Sequence, residues 1–466
     1  MGKRIAALIM IVTMVVGLCG CHEESGRGDG SLVVETTDPL KRNLPDNITD
    51  QLKIIARKYK KWTKGESEDD PYLSYAVTDL DQNGRLEIIA SSADQGSGRF
   101  TNSEYFQVNR AGDGLEKIST PYKEGWSQDD IVSNMETAYY DEDSGGYYYI
   151  TGDFVTAGLA TGYYDSVSAL TLQQGKITTE CLGYVQKENE KDSKSHTTYC
   201  KITKKGREKK VSKREYNEDD IADEWFSSCG KLSVNISWFQ LKKAPSKLSV
   251  VEIEKILEQS YEEFQLGYPV KQKKKKISGY SIKVPVITRM EDKGKQKRIN
   301  HMIVQKIKKQ FQPFGKEGKK SFALWYHNFH VTYAARDRLS IVGEYQGYGK
   351  DAAHPCAVAY AVNLDLEQEK EISQKKLLPE KYRKDVEKLI INGNCKDVSE
   401  MASAYRKAVK MANGKKKKQI FGLQDLWDCV DVYQGKYDYI GVIIPTPYVI
   451  GSYAIYEIHS SDLEEY

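Results

Sequence analysis

Residues 72–92 have the sequence YLSYAVTDLDQNGRLEIIASS, in which two β-like segments flank a short polar loop. Both segments carry apolar residues of high strand propensity, and the loop between them is rich in Asp, Asn and Gly. This arrangement predicts a strand, a turn and a second strand. Segments of the same kind predict further strands at 104–109, 137–140, 147–151 and 166–172. The region is therefore expected to be β-rich.

The loop itself has the spacing of a calcium loop. Oxygen-bearing side chains fill positions 1, 3, 5 and 9, Gly84 at position 6 permits the turn, and a backbone carbonyl is expected at position 7. The predicted ligands are Asp79, Asp81, Asn83, Arg85 (through its carbonyl) and Glu87. We expect a weak, structural Ca²⁺ site.

Two features limit the calcium prediction. Position 12, acidic in an EF-hand, is Ala90 here, and the flanks are strands instead of helices. The alternative is a metal-free polar turn that keeps a hairpin in register. The loop also resembles the Asp-x-Asp-x-Asp-Gly-x-x-Glu-Leu signature found in lipoproteins of Gram-positive gut bacteria.

Helical periodicity and a lysine run divide the rest of the chain. Helices are predicted from about residue 46, with Leu52, Ile55 and Trp62 on one face, and from Ser249 to about Gly267. We predict a first domain over 46–267, a solvated linker over 268–278 containing four consecutive lysines, and a second domain over 279–466. The predicted fold class is α+β, with a β-rich first domain and a second domain of mixed antiparallel sheet and helices.

The N-terminus has the layout of an export signal. Lys3 and Arg4 precede an apolar segment over residues 5–18, which is too short to span a bilayer. Leu18-Cys19-Gly20-Cys21 resembles a lipoprotein cleavage box, which implies a signal peptide over 1–20, lipidation of Cys21 and a flexible tether over 21–45. We expect a lipid-anchored protein on the extracytoplasmic face of the cell membrane. An uncleaved signal anchor is the alternative.

Charge is distributed unevenly. The chain has 69 Lys and Arg against 66 Asp and Glu, yet residues 66–153 hold 19 acidic and 5 basic side chains, and residues 271–320 hold 17 basic and 3 acidic ones. Such blocks can attract oppositely charged partners at low salt. We expect a cationic protein or an anionic wall polymer as partner and no nucleic acid, with solvated surface as the alternative.

Six cysteines follow Cys21, and disulfides are permitted outside the cytoplasm. Their spacing leaves 15 connectivities open. We predict a bond between Cys181 and Cys200, because both lie in short β-like runs that could face each other across a hairpin.

No catalytic motif occurs. The sequence lacks a G-x-S-x-G elbow, an H-E-x-x-H zinc motif, a P-loop and a G-x-G-x-x-G fingerprint after a strand. Acid pairs such as Asp141 and Asp143 could serve a glycosidase but are typical of exposed turns. We therefore predict no enzymatic activity.

The region from about 279 to 458 resembles the extracellular domain shared by RsiV-type anti-sigma factors and PdaC-type peptidoglycan deacetylases. The resemblance is carried by short motifs in a fixed order: Tyr280-Ser281-Ile282-Lys283-Val284-Pro285, Arg298-Ile299-Asn300-His301-Met302-Ile303, Leu339-Ser340-Ile341, Ala353-His354-Pro355, Tyr360-Ala361-Val362-Asn363-Leu364-Asp365-Leu366 and Pro447-Tyr448-Val449-Ile450-Gly451-Ser452-Tyr453-Ala454. It implies an α+β domain at the cell envelope.

In the anti-sigma factors this domain binds lysozyme, and in the deacetylases it accompanies a separate catalytic domain. We expect neither sigma-factor binding nor deacetylation here, because the segments for those activities are not found. The loop before Ala353 departs from the family, with Lys350 and Asp351 where Gly-Gly is common, and Lys350, Asp351 and His354 are the predicted partner-binding residues.

The function predicted from the sequence is a non-enzymatic surface binding module for an envelope polymer or a secreted protein, with lysozyme and peptidoglycan as candidate ligands. The alternatives are a wall-acting glycan hydrolase with an unrecognised carboxylate pair, and a structural partner of an envelope complex.

Overall fold

The computed structural model describes residues 48–63, 73–94, 98–122, 129–156, 162–189, 195–241, 247–311, 322–349, 355–383, 430–435, 439–445 and 453–459. The chain divides into two compact units. The first comprises residues 1–227 and 234–265, and the second comprises residues 228–233 and 266–466. Antiparallel sheets dominate and helices are few, so the predicted α+β class with abundant β-structure is confirmed.

The first unit is built mainly of strands. Its helices are α1 (Ile48–Arg57), α2 (Tyr59–Trp62), α3 (Ile131–Asn134), α4 (Glu218–Trp225) and α5 (Val250–Glu263). Its strands are β1 (Leu73–Thr78), β2 (Glu87–Asp94), β3 (Gly98–Val108), β4 (Leu115–Lys117), β5 (Thr137–Tyr140), β6 (Tyr147–Thr151), β7 (Phe154–Thr156), β8 (Gly162–Gln173), β9 (Lys176–Asn189), β10 (Ser195–Ile202) and β11 (Glu208–Val211). Two short strands, β12 (Gly230–Asn235) and β13 (Gln265–Leu266), lie where the chain passes between the units.

The sheet of the first unit follows the order β1-β2-β3-β7-β8-β6-β5, and β9, β10 and β11 extend from β8. Two helices cover β1 to β3. α1 buries Leu52 and Ile55, and α5 buries Ile253 and Leu257 against the same core, which also contains Trp62. α5 begins at a capping box in which Ser249 and Glu252 bond to each other's backbone, and such caps stabilise a helix start by about 1 kcal/mol.

The second unit contains β14 (Val270–Ile277), β15 (Tyr280–Ile287), α6 (Lys293–Gln310), β16 (Phe322–Ala334), β17 (Arg338–Gly349), β18 (Cys356–Asp365), β19 (Lys370–Glu371), α7 (Gln374–Leu377), β20 (Asp431–Gln434), β21 (Tyr439–Pro445) and β22 (Tyr453–His459). β14 pairs with β15, β16 to β19 form a four-stranded sheet, and β20 to β22 form a three-stranded sheet. One apolar cluster joins α6, through Ile299, Ile303 and Ile307, to β14 to β18.

The structure of the lysine run differs from the prediction of a solvated linker over 268–278. Lys273 and Lys276 lie inside β14, whose backbone pairs with β15 in register from Val270↔Ile287 to Ile277↔Tyr280. The predicted solvated linker is therefore wrong at these positions. Adjacent strand residues point to opposite faces, which separates neighbouring charges, and most of these side chains remain exposed to water.

No helix among the described residues combines the length and the apolarity needed to cross a membrane.

Candidate metal centre

The loop between β1 and β2 begins and ends in a paired ladder. Thr78 pairs with Glu87 at the loop end of the hairpin, and residues 79–86 form the connection. Within it Gln82 has φ +55° and Gly84 has φ +83°. Left-handed backbone is costly for residues with a Cβ, so Gly84 fits position 6 of the loop as the sequence predicted.

Backbone N–H groups and the side-chain amide of Asn83 hold the first two carboxylates. Asp79 Oδ1 accepts from the Asn83 N–H at 3.0 Å, and Asp79 Oδ2 accepts from the Gly84 N–H at 3.1 Å. Asp81 Oδ2 accepts from Asn83 Nδ2 at 2.8 Å, and Asn83 Oδ1 accepts from the Arg85 N–H at 2.7 Å. The predicted ligand positions are thus folded into one compact turn.

Glu87 closes the cluster from the first position of β2. Its side chain is completely buried, and Oε2 accepts from the Leu80 N–H at 2.8 Å and from Thr78 Oγ1 at 3.3 Å. Its second oxygen, Oε1, is buried and accepts no hydrogen bond. One oxygen each from Asp79, Asp81 and Glu87 lies within 4.8 Å of the others.

Three carboxylates this close repel one another when ionised. Burial and the neighbouring Asp81 raise the pKa of Asp79 to about 7. Burial, followed by the charges of Asp81 and Asp79, raises the pKa of Glu87 well above its ordinary value. Burial also raises the pKa of Asp81. A cation among these oxygens would remove the repulsion and favour the ionised forms.

The donor set fits a hard cation. All three groups offer carboxylate oxygens, which Ca²⁺ prefers, and Glu87 Oε1 is a buried oxygen whose lone pairs lack a hydrogen-bond donor. The Arg85 side chain is a cation without an acceptor atom and pairs with Glu116 at 3.1 Å, so only the Arg85 carbonyl suits the seventh position, and that ligand stays a prediction.

Two residues far away in sequence support the loop, and sequence reasoning missed both. Gln51 of α1 donates through Nε2 to the Gly84 carbonyl at 2.7 Å and accepts the Leu86 N–H at 2.9 Å. The Tyr149 hydroxyl donates to the Leu80 carbonyl at 2.5 Å. The sequence offered one indication of the Gln51 contact, which is that this glutamine lies on the apolar face of a predicted helix.

A second acidic group was also missed. Asp129 accepts from Thr151 Oγ1 at 2.9 Å and from the hydroxyls of Ser168 and Tyr122, while Ser166 donates to Asp153. Burial and the charge of Asp153 raise the pKa of Asp129 to about 7. The sequence feature that could have indicated this group is the pair of serines, Ser166 and Ser168, at alternate positions of the strand predicted over 166–172.

The predicted disulfide is wrong. Cys181 lies opposite Ser168, whereas Cys200 lies opposite Tyr184, and no bond joins the two sulfurs. Cys181 and Tyr184 are three residues apart on β9, which is roughly 10 Å along a strand. A disulfide requires Cα atoms within about 7 Å. The strands do pair, but in another register.

Four further predicted site residues lie outside the described residues. They are the lipidation site Cys21 and the partner-binding residues Lys350, Asp351 and His354.

Comparison with known proteins gives little further guidance. No protein-family model and no curated protein matches the sequence. Among solved structures, the crystal structure of a DUF3298 family member from Bacteroides fragilis shows a weak similarity, with 14% sequence identity and a TM-score of 0.26. The matched region covers 42% of this chain and 90% of that chain. No shared function follows from a similarity at this level.

Proposed function

We propose that the loop from Asp79 to Glu87 binds Ca²⁺ and that the ion stabilises the first unit. The observation that supports this is the convergence of the Asp79, Asp81 and Glu87 carboxylates, together with a buried Glu87 Oε1 that accepts no hydrogen bond. Asp79, Asp81 and Glu87 would supply carboxylate oxygens, with Asn83 and the Arg85 carbonyl as further candidates. With no acid at position 12, the affinity is expected in the range of about 10⁻⁴ to 10⁻³ M.

Isothermal titration of the full chain with CaCl₂ tests this proposal. Wild type should bind one ion, and Glu87→Gln should weaken binding at least about tenfold, because an amide supplies no charge. Asp143→Asn is the matched control, since Asp143 is an exposed acid in another turn. A Glu87→Gln variant that binds Ca²⁺ like wild type would contradict the assignment.

We further propose that the protein is a lipid-anchored surface module that binds an envelope polymer or a secreted protein. The lipobox ending at Cys21 and the ordered motifs between residues 280 and 454 support this proposal. The resemblance to RsiV-type and PdaC-type domains makes lysozyme and peptidoglycan the first ligands to examine. The acidic block over 66–153 suits a cationic protein such as lysozyme.

A pull-down with immobilised lysozyme and with insoluble peptidoglycan, at about 20 mM and 500 mM NaCl, tests this role. Binding through the charged blocks should weaken as salt screens exposed charges. Retention of neither ligand at low salt would count against the binding module.

A second candidate, hydrolysis of wall glycan, is favoured by one observation. Asp129 accepts hydrogen bonds from Thr151, Ser168 and Tyr122, and burial together with the charge of Asp153 raises its pKa to about 7. A carboxyl with a raised pKa beside a second carboxylate is one requirement of a glycosidase. If the protein released reducing sugar from peptidoglycan, and Asp129→Asn abolished that release while Asp143→Asn did not, the enzyme would replace the binding module as the leading function.

A further inference from the structure

Exposed aromatic side chains are concentrated at one end of the β16–β17 hairpin. Among the described residues, six large apolar side chains are exposed, and three of them belong to these two strands: Trp325 (54%), Tyr326 (36%) and Tyr348 (39%). Exposed apolar surface gathered in one place is a mark of an interaction site.

A β-bulge produces this exposure. The ladder runs Leu324↔Gly347 and then Tyr326↔Gln346, so Trp325 has no partner in the register. The extra residue lets both Trp325 and Tyr326 point away from the core, and bulges commonly re-aim side chains in this way. Without the bulge, strict alternation would place one of the two on the inner face.

The opposite face of the hairpin is closed by packing. Gly347 lies against the Phe322 ring, 2.2 Å from where a Cβ would stand, so that ring fills the inner side. Tyr348 therefore points outward and packs against Trp325, with 5.4 Å between the ring centroids. The two rings form a platform supported by a closely packed layer.

Hydrogen-bonding groups continue from the platform along β17. Gln346 and Glu344 follow Tyr348 at alternate positions and lie on the same face, where both are partly exposed. Glu344 also bonds to the Tyr453 hydroxyl. Small residues border this row, because Ala323 lies opposite Tyr348 and Ala357 lies opposite Gln346. The row therefore has rings at one end and an amide and a carboxylate beyond them.

We propose that this aromatic face (Trp325, Tyr326, Glu344, Gln346 and Tyr348) binds a glycan chain. A pyranose ring has C–H groups on its faces, which stack on aromatic rings, and hydroxyls around its rim, which bond to amides and carboxylates. Trp325 and Tyr348 take the sugar faces, and Gln346 and Glu344 take the hydroxyls.

This inference rests on the proposed binding module and names its ligand class and its site. The probes are chitohexaose, a soluble chain of β-1,4-linked N-acetylglucosamine, and insoluble peptidoglycan. Titration followed by tryptophan fluorescence measures the first, and co-sedimentation measures the second.

Trp325→Ala should weaken binding to the glycan probes about tenfold or more, the usual loss at an exposed aromatic anchor. Tyr348→Ala should weaken it less, and Trp325→Phe should retain part of the affinity. Tyr439→Ala is the matched control: it removes another exposed aromatic ring of this unit, 37% exposed and packed against His459 on the three-stranded sheet, and should leave binding unchanged. Circular dichroism checks that the variants are folded.

Equal sedimentation of wild type and Trp325→Ala with peptidoglycan would overturn this site while leaving the binding module intact. Loss of lysozyme binding in Trp325→Ala, with no glycan binding by wild type, would show that the face serves a protein instead. Failure of wild type to bind chitohexaose, peptidoglycan and lysozyme would remove both the module and the site.

Discussion

The interiors of the two units differ in what they bury. The first unit encloses charged side chains, including Asp79, Arg85 and Glu87, together with a series of serine and threonine hydroxyls. In the second unit, Ser340 and Asn363 are the buried polar side chains among the described residues, and the core is otherwise aliphatic and aromatic.

This difference has an energetic consequence. Burial of an apolar side chain stabilises a fold without further requirements, whereas a buried carboxylate must find donors, a proton or a cation. The stability of the first unit should therefore depend on metal and fall as its buried carboxyls ionise, and that of the second should depend mainly on packing, with a pH dependence of opposite sign from His327.

The largest effect is expected in the apolar core of the second unit. Ile303→Ala removes a fully buried side chain from α6 and should cost about 3 kcal/mol, because the cavity cannot close completely. Urea unfolding with hydrogen exchange, read by mass spectrometry, would assign the loss to the second unit. Lys297→Ala, at an exposed position of the same helix, should change stability by less than about 0.5 kcal/mol.

The second-largest expected effect is that Ca²⁺ stabilises the first unit and leaves the stability of the second unit unchanged. At 10 mM CaCl₂, a site with an affinity of about 10⁻⁴ to 10⁻³ M should stabilise the first unit by roughly 1.4–2.7 kcal/mol. Hydrogen exchange should slow at β1 and β2 and stay unchanged in α6. Protection that spread equally over both units would show that the ion does not act through the Asp79–Glu87 loop.

A change of pH should act on the first unit through Asp129. The folded-state pKa of about 7 lies above the ordinary 3.8, so its stabilising contribution is present at low pH and is lost as the pH rises towards 7. Asp129→Asn carries no charge. The difference between the two pKa values corresponds to at most about 4 kcal/mol, and because Asp129 is still partly exposed to water, the stability of the variant relative to wild type should improve by roughly half of that, about 2 kcal/mol, from pH 4 to pH 8. A stability difference that stays constant with pH would contradict this prediction.

The second unit should respond in the opposite direction through His327. Burial lowers the pKa of its imidazole to about 4 from 6.5, and Nε2 lies 3.1 Å from the Tyr360 hydroxyl. The stabilising contribution is therefore present above pH 6.5 and lost as the pH falls towards 4. The difference between the two pKa values corresponds to at most about 3 kcal/mol. Because His327 is partly exposed to water, wild type should lose roughly half of that, about 1.5 kcal/mol, relative to His327→Phe across that window, measured by urea unfolding.

Surface ion pairs should contribute least. Lys117 Nζ lies 2.5 Å from Glu104 Oε1, but the two side chains are 59% and 50% exposed. Water screens such a pair, and Lys117→Ala should change the free energy of unfolding by less than about 0.5 kcal/mol. A larger loss of unfolding free energy would mean that charged groups on the surface of the first unit, as well as those in its interior, determine its stability.

The sequence by itself determined the local structure. Alternation predicted β5 and β6 at their observed bounds, helical spacing predicted α1 and α5, and Ser249 was identified as a helix start. The loop ligands Asp79, Asp81 and Glu87 were also found, because nine consecutive residues contain the whole pattern. These features arise from interactions between residues near each other in the chain, which a single sequence displays directly.

Only the tertiary structure decided the pairings. Gln51 and Tyr149 reach the loop from 33 and 69 residues away, and the β9–β10 register separates the two cysteines that were predicted to bond. The lysine run became a strand because β15 supplied its hydrogen-bond partners, and Trp325 became exposed because β16 has one residue more than its partner at that point. Register and bulges depend on how whole strands bury their apolar faces together, so no local stretch of sequence specifies them.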